Sequence, residues 1–145
     1  MPDSPPKRVT GIGGIFFKAN DPKRLFEWYR THLGIAPDPR DEPDWTGFTF
    51  RWRDPDNPER VGSTVWSIFP RSSRYFGSGD QPYMINYRVD NLDGLLAELR
   101  REGVTIGDHV EESEYGKFGW ITDPEGNRVE LWQPPVGKQR VIAWP

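Results

Sequence analysis

Cysteine is absent from the 145 residues, which removes disulfides and thiolate metal sites together. A basic excess is absent too. Nineteen Lys and Arg stand against 22 Asp and Glu, giving a net charge of −3 and a pI near 5.4. With no basic stripe in the chain, nucleic acid and anionic membrane surfaces are poor partners. Long apolar runs are missing, so no membrane span is expected. Met1-Pro-Asp-Ser-Pro-Pro6 lacks the apolar stretch of a signal peptide, and a soluble cytoplasmic protein is expected. Hydrophobic residues make up only 34% of the chain, yet 14% is aromatic, including seven Trp and eight Phe. The apolar mass is therefore concentrated in large rings, which suit both a sheet and a pocket for flat ligands. The length is that of one domain with one sizeable core.

The chain divides by its punctuation. Residues 1–8 are Pro-rich and read as a flexible arm. Val9 to Lys18 reads as a strand loosened by Gly11, Gly13 and Gly14, since glycine in a strand marks a bulge or a close approach. Asn20 or Asp21 can cap a helix that has Pro22 in its first turn and Gly34 at its end. Strands follow at Trp45–Arg53 and Ser63–Phe69, on either side of the turn-rich Asp54–Pro58. After a linker, 71–82, the plan repeats: a strand at Tyr83–Val89, capping residues Asp90 and Asn91, a leucine-striped helix to Glu102, and Gly103. Ala19-Asn20-Asp21…Leu25…Gly34 overlays Val89-Asp90-Asn91…Leu95…Gly103 with one residue of slack, an internal repeat. The expected organisation is a first module over 9–70, a second over 83–134, and a tail, 135–145, whose Val141, Ile142 and Trp144 need cover.

The most informative stretch closes the second module. Phe118–Thr122 reads as a strand, and Asp123-Pro-Glu-Gly-Asn127 supplies turn chemistry. Arg128–Trp132 returns as a strand that Pro134 stops. Along it Val129 and Leu131 alternate with Arg128, Glu130 and Trp132, so one face packs a core and the other carries a carboxylate beside an indole. This hairpin resembles the closing hairpin of the vicinal oxygen chelate superfamily, which holds glyoxalases, bleomycin-resistance proteins and extradiol dioxygenases. The resemblance runs over roughly residues 9–134. It implies an α+β fold in which two paired βαβββ modules form a curved, cup-shaped mixed sheet with helices on the outer face.

The resemblance also implies where a metal would be held. Glu130 matches a family ligand position. The first-strand ligand, seven residues before the aspartate that opens the helix, falls at Gly14, and its partner, counted back from Asn91, falls at Met84. The first-module equivalent of Glu130, four residues before a terminal proline, falls at Trp66. Of these four only Glu130 suits a hard divalent ion, whereas a catalytic zinc takes three protein ligands. His32 reads as a helix residue and His109 as a loop residue. No cofactor is expected.

Without a metal, the same face offers Gly14, Phe16, Trp66, Met84, Asn86, Trp120, Glu130 and Trp132 to a ligand, a mostly apolar set with few polar groups. Glu130 has Arg128, Tyr115, Tyr87 and Arg88 as candidate partners. Tyr75-Phe76 and Tyr115-Gly116 are placed to cover the mouth. Three functions stay open. One is a glyoxalase/bleomycin-resistance-like protein binding a small aromatic or planar compound. Another is a glyoxalase-like lyase or isomerase using Glu130 as acid/base, or as a ligand of a non-standard metal site. The third is a dimeric scaffold without a ligand. A homodimer is expected. No phosphate-binding loop or serine-hydrolase pattern competes.

Overall fold

The structure, a computed structural model, describes residues 8–77 and 79–135; the expected arm apart from Arg8, and nearly all of the tail, lie outside the described residues. Strand β1 (Val9–Ala19) leads into helix α1 (Pro22–Leu33), and a long hairpin follows, β2 (Gly47–Asp54) and β3 (Asn57–Pro70). The second half gives β4 (Tyr83–Val89), α2 (Leu92–Arg101), β5 (Thr105–Ile106), β6 (Glu111–Ser113), β7 (Gly116–Thr122) and β8 (Arg128–Gln133). Eight strands in one curved mixed sheet and two helices match the expected α+β cup. They are shared unequally, three strands in the first half and five in the second. The segment after α1 holds Pro37, Pro39 and Pro43, and proline donates nothing to a strand ladder.

The order β2-β3-β1-β4-β8-β7-β5 shows the repeat as geometry. β1 and β4 run antiparallel at the centre, each flanked on its other side by a parallel strand, β3 or β8. Gly14 pairs with Asn86, Ile15 with Ile85 and Phe16 with Met84, so a pseudo-two-fold passes at Ile15/Ile85. The glycines expected to loosen β1 coincide with shifts of register between Val9 and Gly11 and between Ile12 and Gly14.

Capping fixes both helices. The Asp21 carboxylate accepts from the Arg24 amide (3.2 Å) and the Asn91 side chain from the Gly94 amide (3.0 Å). Gly34 ends α1 at φ 73°, a left-handed value that favours glycine. α2 lays Leu92, Leu95 and Leu96 against Val89 and Leu131, and α1 lays Phe26 against Ala19 and Ile68. The opposite face of the sheet carries a separate cluster: Phe16, Val65, Phe76, Met84, Phe118, Trp120 and Trp132. That concave face is the cup. Among the described residues no helix is long and apolar enough to cross a membrane.

Candidate functional site

Alternation along β8 settles where Glu130 points. Leu131 packs under α2, with Val129 against the same cluster, so Glu130 and Trp132 face the cup. Glu130 is only 1% exposed. Three donors meet its carboxylate: Asn86 Nδ2 donates to Oε1 (2.6 Å), Trp120 Nε1 donates to Oε2 (2.9 Å), and the Tyr75 hydroxyl also donates to Oε2. None belongs to the partners expected from the sequence. Arg88 instead lies between the rings of Trp52 and Trp132, its guanidinium carbon 5.5 and 5.0 Å from their centroids. Burial there lowers its pKa to about 10, with Arg60 adding to the effect. Arg128 lies over the ring of Trp120 at 5.0 Å and reaches Glu130 only through its field.

Burial is the largest influence on the Glu130 carboxyl and pushes its pKa up. The bonds from Tyr75, Asn86 and Trp120 and the charge of Arg128 pull it back without cancelling the rise. The Tyr75 phenol is pushed above its ordinary range, first by burial and then by the neighbouring carboxylate, so it stays a donor. Tyr75 is held by rings: stacked on Phe69 (5.7 Å, 10°), and edge-on to Trp120 (6.2 Å) and Phe16 (6.5 Å). The segment 71–82 is therefore part of the cup as well as a connection. Phe76 lies in its core at 1% exposure, and the Gln81 side chain pairs with the Arg128 backbone like a ladder residue, accepting from its amide (2.6 Å) and donating to its carbonyl (2.8 Å).

Above this floor opens a cleft of about 320 Å³. Six rings line it, those of Phe16, Trp45, Phe69, Tyr75, Tyr115 and Phe118, together with Val65, Ser67, Ser113, Glu111 and Glu130. Ser67 Oγ accepts from the Trp45 indole (3.0 Å), and Glu111 Oε2 lies 3.3 Å from His109 Nε2. His109 is further tied to Asp108 (2.8 Å) and stacks obliquely on Trp120 (5.3 Å), and Asp108 first, then Glu111, raise its pKa.

The sequence-predicted residues separate into three groups. Glu130 and Phe16 line the cleft directly. Gly14, Met84, Asn86, Trp120 and Trp132 stand behind them on the same face, with Met84 at 0% exposure and Trp132 stacked on Phe118 (6.0 Å, 8°). Trp66 is not there. It faces the helix side, with its ring near Phe17, Phe26 and Tyr29, so its placement in the cup is corrected. The register gives the reason. Asn86 pairs with Glu130 and Phe16 with Ser67, so the pseudo-two-fold carries Glu130 onto Ser67, one residue further on. β3 includes Pro70 whereas β8 stops before Pro134, and counting back from the prolines slips by that residue. Alternation around Val65, Ser67 and Phe69 carries the signal that would have found the cleft wall.

A glyoxalase-like domain family matches residues 14–132, most of the chain. The chain belongs to the glyoxalase-like family. With that family goes the vicinal oxygen chelate superfamily, whose fold the sheet shows. Solved structures with the same fold include a variant of the Streptomyces coelicolor methylmalonyl-CoA epimerase in complex with 2-nitronate-propionyl-CoA. It is 15% identical, with a TM-score of 0.64 over 88% of this chain and 99% of that chain. The Mycobacterium tuberculosis methylmalonyl-CoA epimerase is 18% identical, with a TM-score of 0.59 over 92% and 94%. A Legionella pneumophila protein described as an NAD-dependent benzaldehyde dehydrogenase is 12% identical, with a TM-score of 0.54 over 84% and 98%. At these identities the likeness is one of fold. No curated protein matches the sequence.

For the divalent metal that this fold family implies, the four symmetry-related positions of this glyoxalase-like chain are Gly14, Ser67, Met84 and Glu130. They do not fit one. Glycine offers no donor, a thioether is too soft for Mg, Mn or Zn, and Ser67 already accepts from an indole. The carboxylate lone pairs that would face a metal face three N–H and O–H donors. Among the described residues no group of three or more His, Cys, Asp and Glu is placed to hold a metal ion.

Proposed function

We propose that this glyoxalase-like protein is a metal-free binder of a small aromatic or planar compound, held in the cup between Phe16, Tyr115 and Phe118 above Tyr75. The observation that carries the reading is the floor. The family's remaining anionic ligand position, Glu130, is buried and saturated by donors from Tyr75, Asn86 and Trp120, while rings form most of the wall. A buried carboxylate so capped fixes the positions of three large side chains and gives the pocket a fixed shape. The volume, about 320 Å³, is at the small end for ligand sites and suits one or two fused rings.

Glu130 beside a phenol also supports a second reading, an acid–base enzyme. A carboxyl whose pKa is pushed up by burial is the kind of group that exchanges a proton in catalysis, and Tyr75, bonded to it, lines the same cleft. In that reading Tyr75 orients a substrate oxygen while Glu130 holds the phenol in place. Assembly as a homodimer belongs to the same proposal, supported by the exposed Val9, Ile12, Ile15, Phe50 and Tyr83. So does a cytoplasmic location, the expectation drawn from the sequence.

The test is a thermal-shift and calorimetric screen of bicyclic aromatic compounds on chelator-treated protein, wild type and Phe118→Ala. Binding that survives chelation and is lost in Phe118→Ala supports the proposal. Binding that appears only after a divalent metal is restored refutes it.

A further inference from the structure

We propose that the cup selects ligands carrying a positive charge on a flat aromatic frame, an arylmethylammonium being the simplest, with Glu111 and the ring faces as the recognising groups. The inference rests on the aromatic-binding reading above and adds the sign of the ligand's charge. Two carboxyl groups line the cleft, Glu111 at the mouth and Glu130 at the floor, and no Lys, Arg or His lines it among the described residues. The rings add to the same sign, because the face of an aromatic ring is the negative pole of its quadrupole.

The nearby cations are turned elsewhere. Arg128 lies over Trp120 and lines a neighbouring cleft, and Lys18 Nζ sits 5.2 Å from the ring centre of Phe76. His109 lies between Asp108 and Glu111, and touches the cup only through Glu111 and the Trp120 ring.

The two carboxylates have different parts. Both oxygens of Glu130 are held by protein donors, so it shapes the floor and leaves Glu111 as the carboxylate open to a ligand. Glu111 sits on the short edge strand β6, half open to solvent at 58% side-chain exposure, and its contact with His109 is long at 3.3 Å. An ammonium group entering the mouth can take that oxygen while its aryl group fills the space below. An anion in the same place faces the open carboxylate of Glu111 and the negative faces of the rings, with no Lys or Arg among the described residues of the lining. The carboxylates and phosphates of coenzyme A esters fit poorly for that reason, whatever the shared fold.

The test is titration calorimetry of the full chain at pH 7.5 with 2-naphthylmethylammonium, 2-naphthylmethanol and 2-naphthoate, which share a ring system and differ in charge. The ammonium compound should bind on the order of tenfold tighter than the alcohol, and the carboxylate more weakly than either. Glu111→Gln should narrow the gap between ammonium and alcohol, and added salt should narrow it in the wild type. An alcohol that binds as well as the ammonium overturns the charge inference and leaves the aromatic cup standing. A carboxylate that binds tightest overturns it outright. If none of the three binds, the aromatic reading falls and the inference falls with it.

Discussion

Tyr75→Phe removes one hydroxyl and leaves the ring with its contacts to Phe69, Phe16 and Trp120. What is lost is one of three hydrogen bonds to a carboxylate that is 1% exposed. A hydrogen bond to a charged group contributes about 1.5–3 kcal/mol, more than a neutral one, so the cost depends on whether Glu130 is ionised. The folded pKa of Glu130 is already raised above its unfolded value. Its contribution to stability is therefore fully present below the unfolded pKa and is lost as pH rises through the folded pKa. Deleting the Tyr75 hydroxyl removes an influence that lowers that pKa, so it rises further and the loss extends to higher pH. The melting temperature of the variant should fall further below wild type as pH rises, by roughly 3–12 °C where Glu130 is ionised, from about 2–4 °C per kcal/mol for a domain near this size. Glu130→Gln supplies the control, because a neutral amide at the same place removes the titration and should give the flatter profile. Differential scanning calorimetry of the three proteins from pH 4 to 8 reads all of this. Tyr75→Phe parallel to wild type at every pH would refute the reasoning, since the hydroxyl would then not be bonded to an ionising group.

Other perturbations follow from single contacts. Gly13→Ala should destabilise by about 1–3 kcal/mol, seen in denaturant melts, because its Cβ would sit 2.8 Å from Trp132 Cε3 and against the Asn86 amide oxygen. Asp123→Ala should lower the melting temperature near pH 7, since its Oδ1 accepts from the amides of Glu125 and Asn127 at 2.9 Å each. The Asn127 side-chain bond, the largest influence, lowers the Asp123 pKa, so this contribution is present above the unfolded pKa and fades as pH falls through the folded one. Elemental analysis of purified protein should find no stoichiometric Zn, Ni, Mn or Fe, and added zinc should leave the melting temperature within about 1 °C, as mass action requires where no native site exists.

The closing hairpin was legible because every level agreed there. Asp123 and Gly126 (φ 87°) form the turn, β8 alternates between core and cup, and Glu130 faces inward. Helix ends were legible from Asp21, Asn91 and Gly34, whose side chains or left-handed backbone do local work. The facing residues on β3 were not, because alternation flips with a one-residue slip and Pro70 gives a false mark for the strand's end, so counting from the prolines points to Trp66 where Ser67 and Val65 stand. The partners of Glu130 were hidden for a different reason. Asn86 and Trp120 are register neighbours, visible once strands pair, but Tyr75 is 55 residues away in a segment without periodicity, brought in by ring packing that no local rule describes.

The account's central claim is that the cup takes an aromatic ligand with no metal on Glu130. A crystal structure of chelator-treated protein soaked with 2-naphthylmethylammonium tests it most directly. The expected density is a flat bicycle between Phe16, Tyr115 and Phe118, with its ammonium toward Glu111, and the Glu130 carboxylate bonded only to Tyr75, Asn86 and Trp120. An anomalous metal peak on Glu130, or a cup left empty while the ligand binds elsewhere, would contradict it.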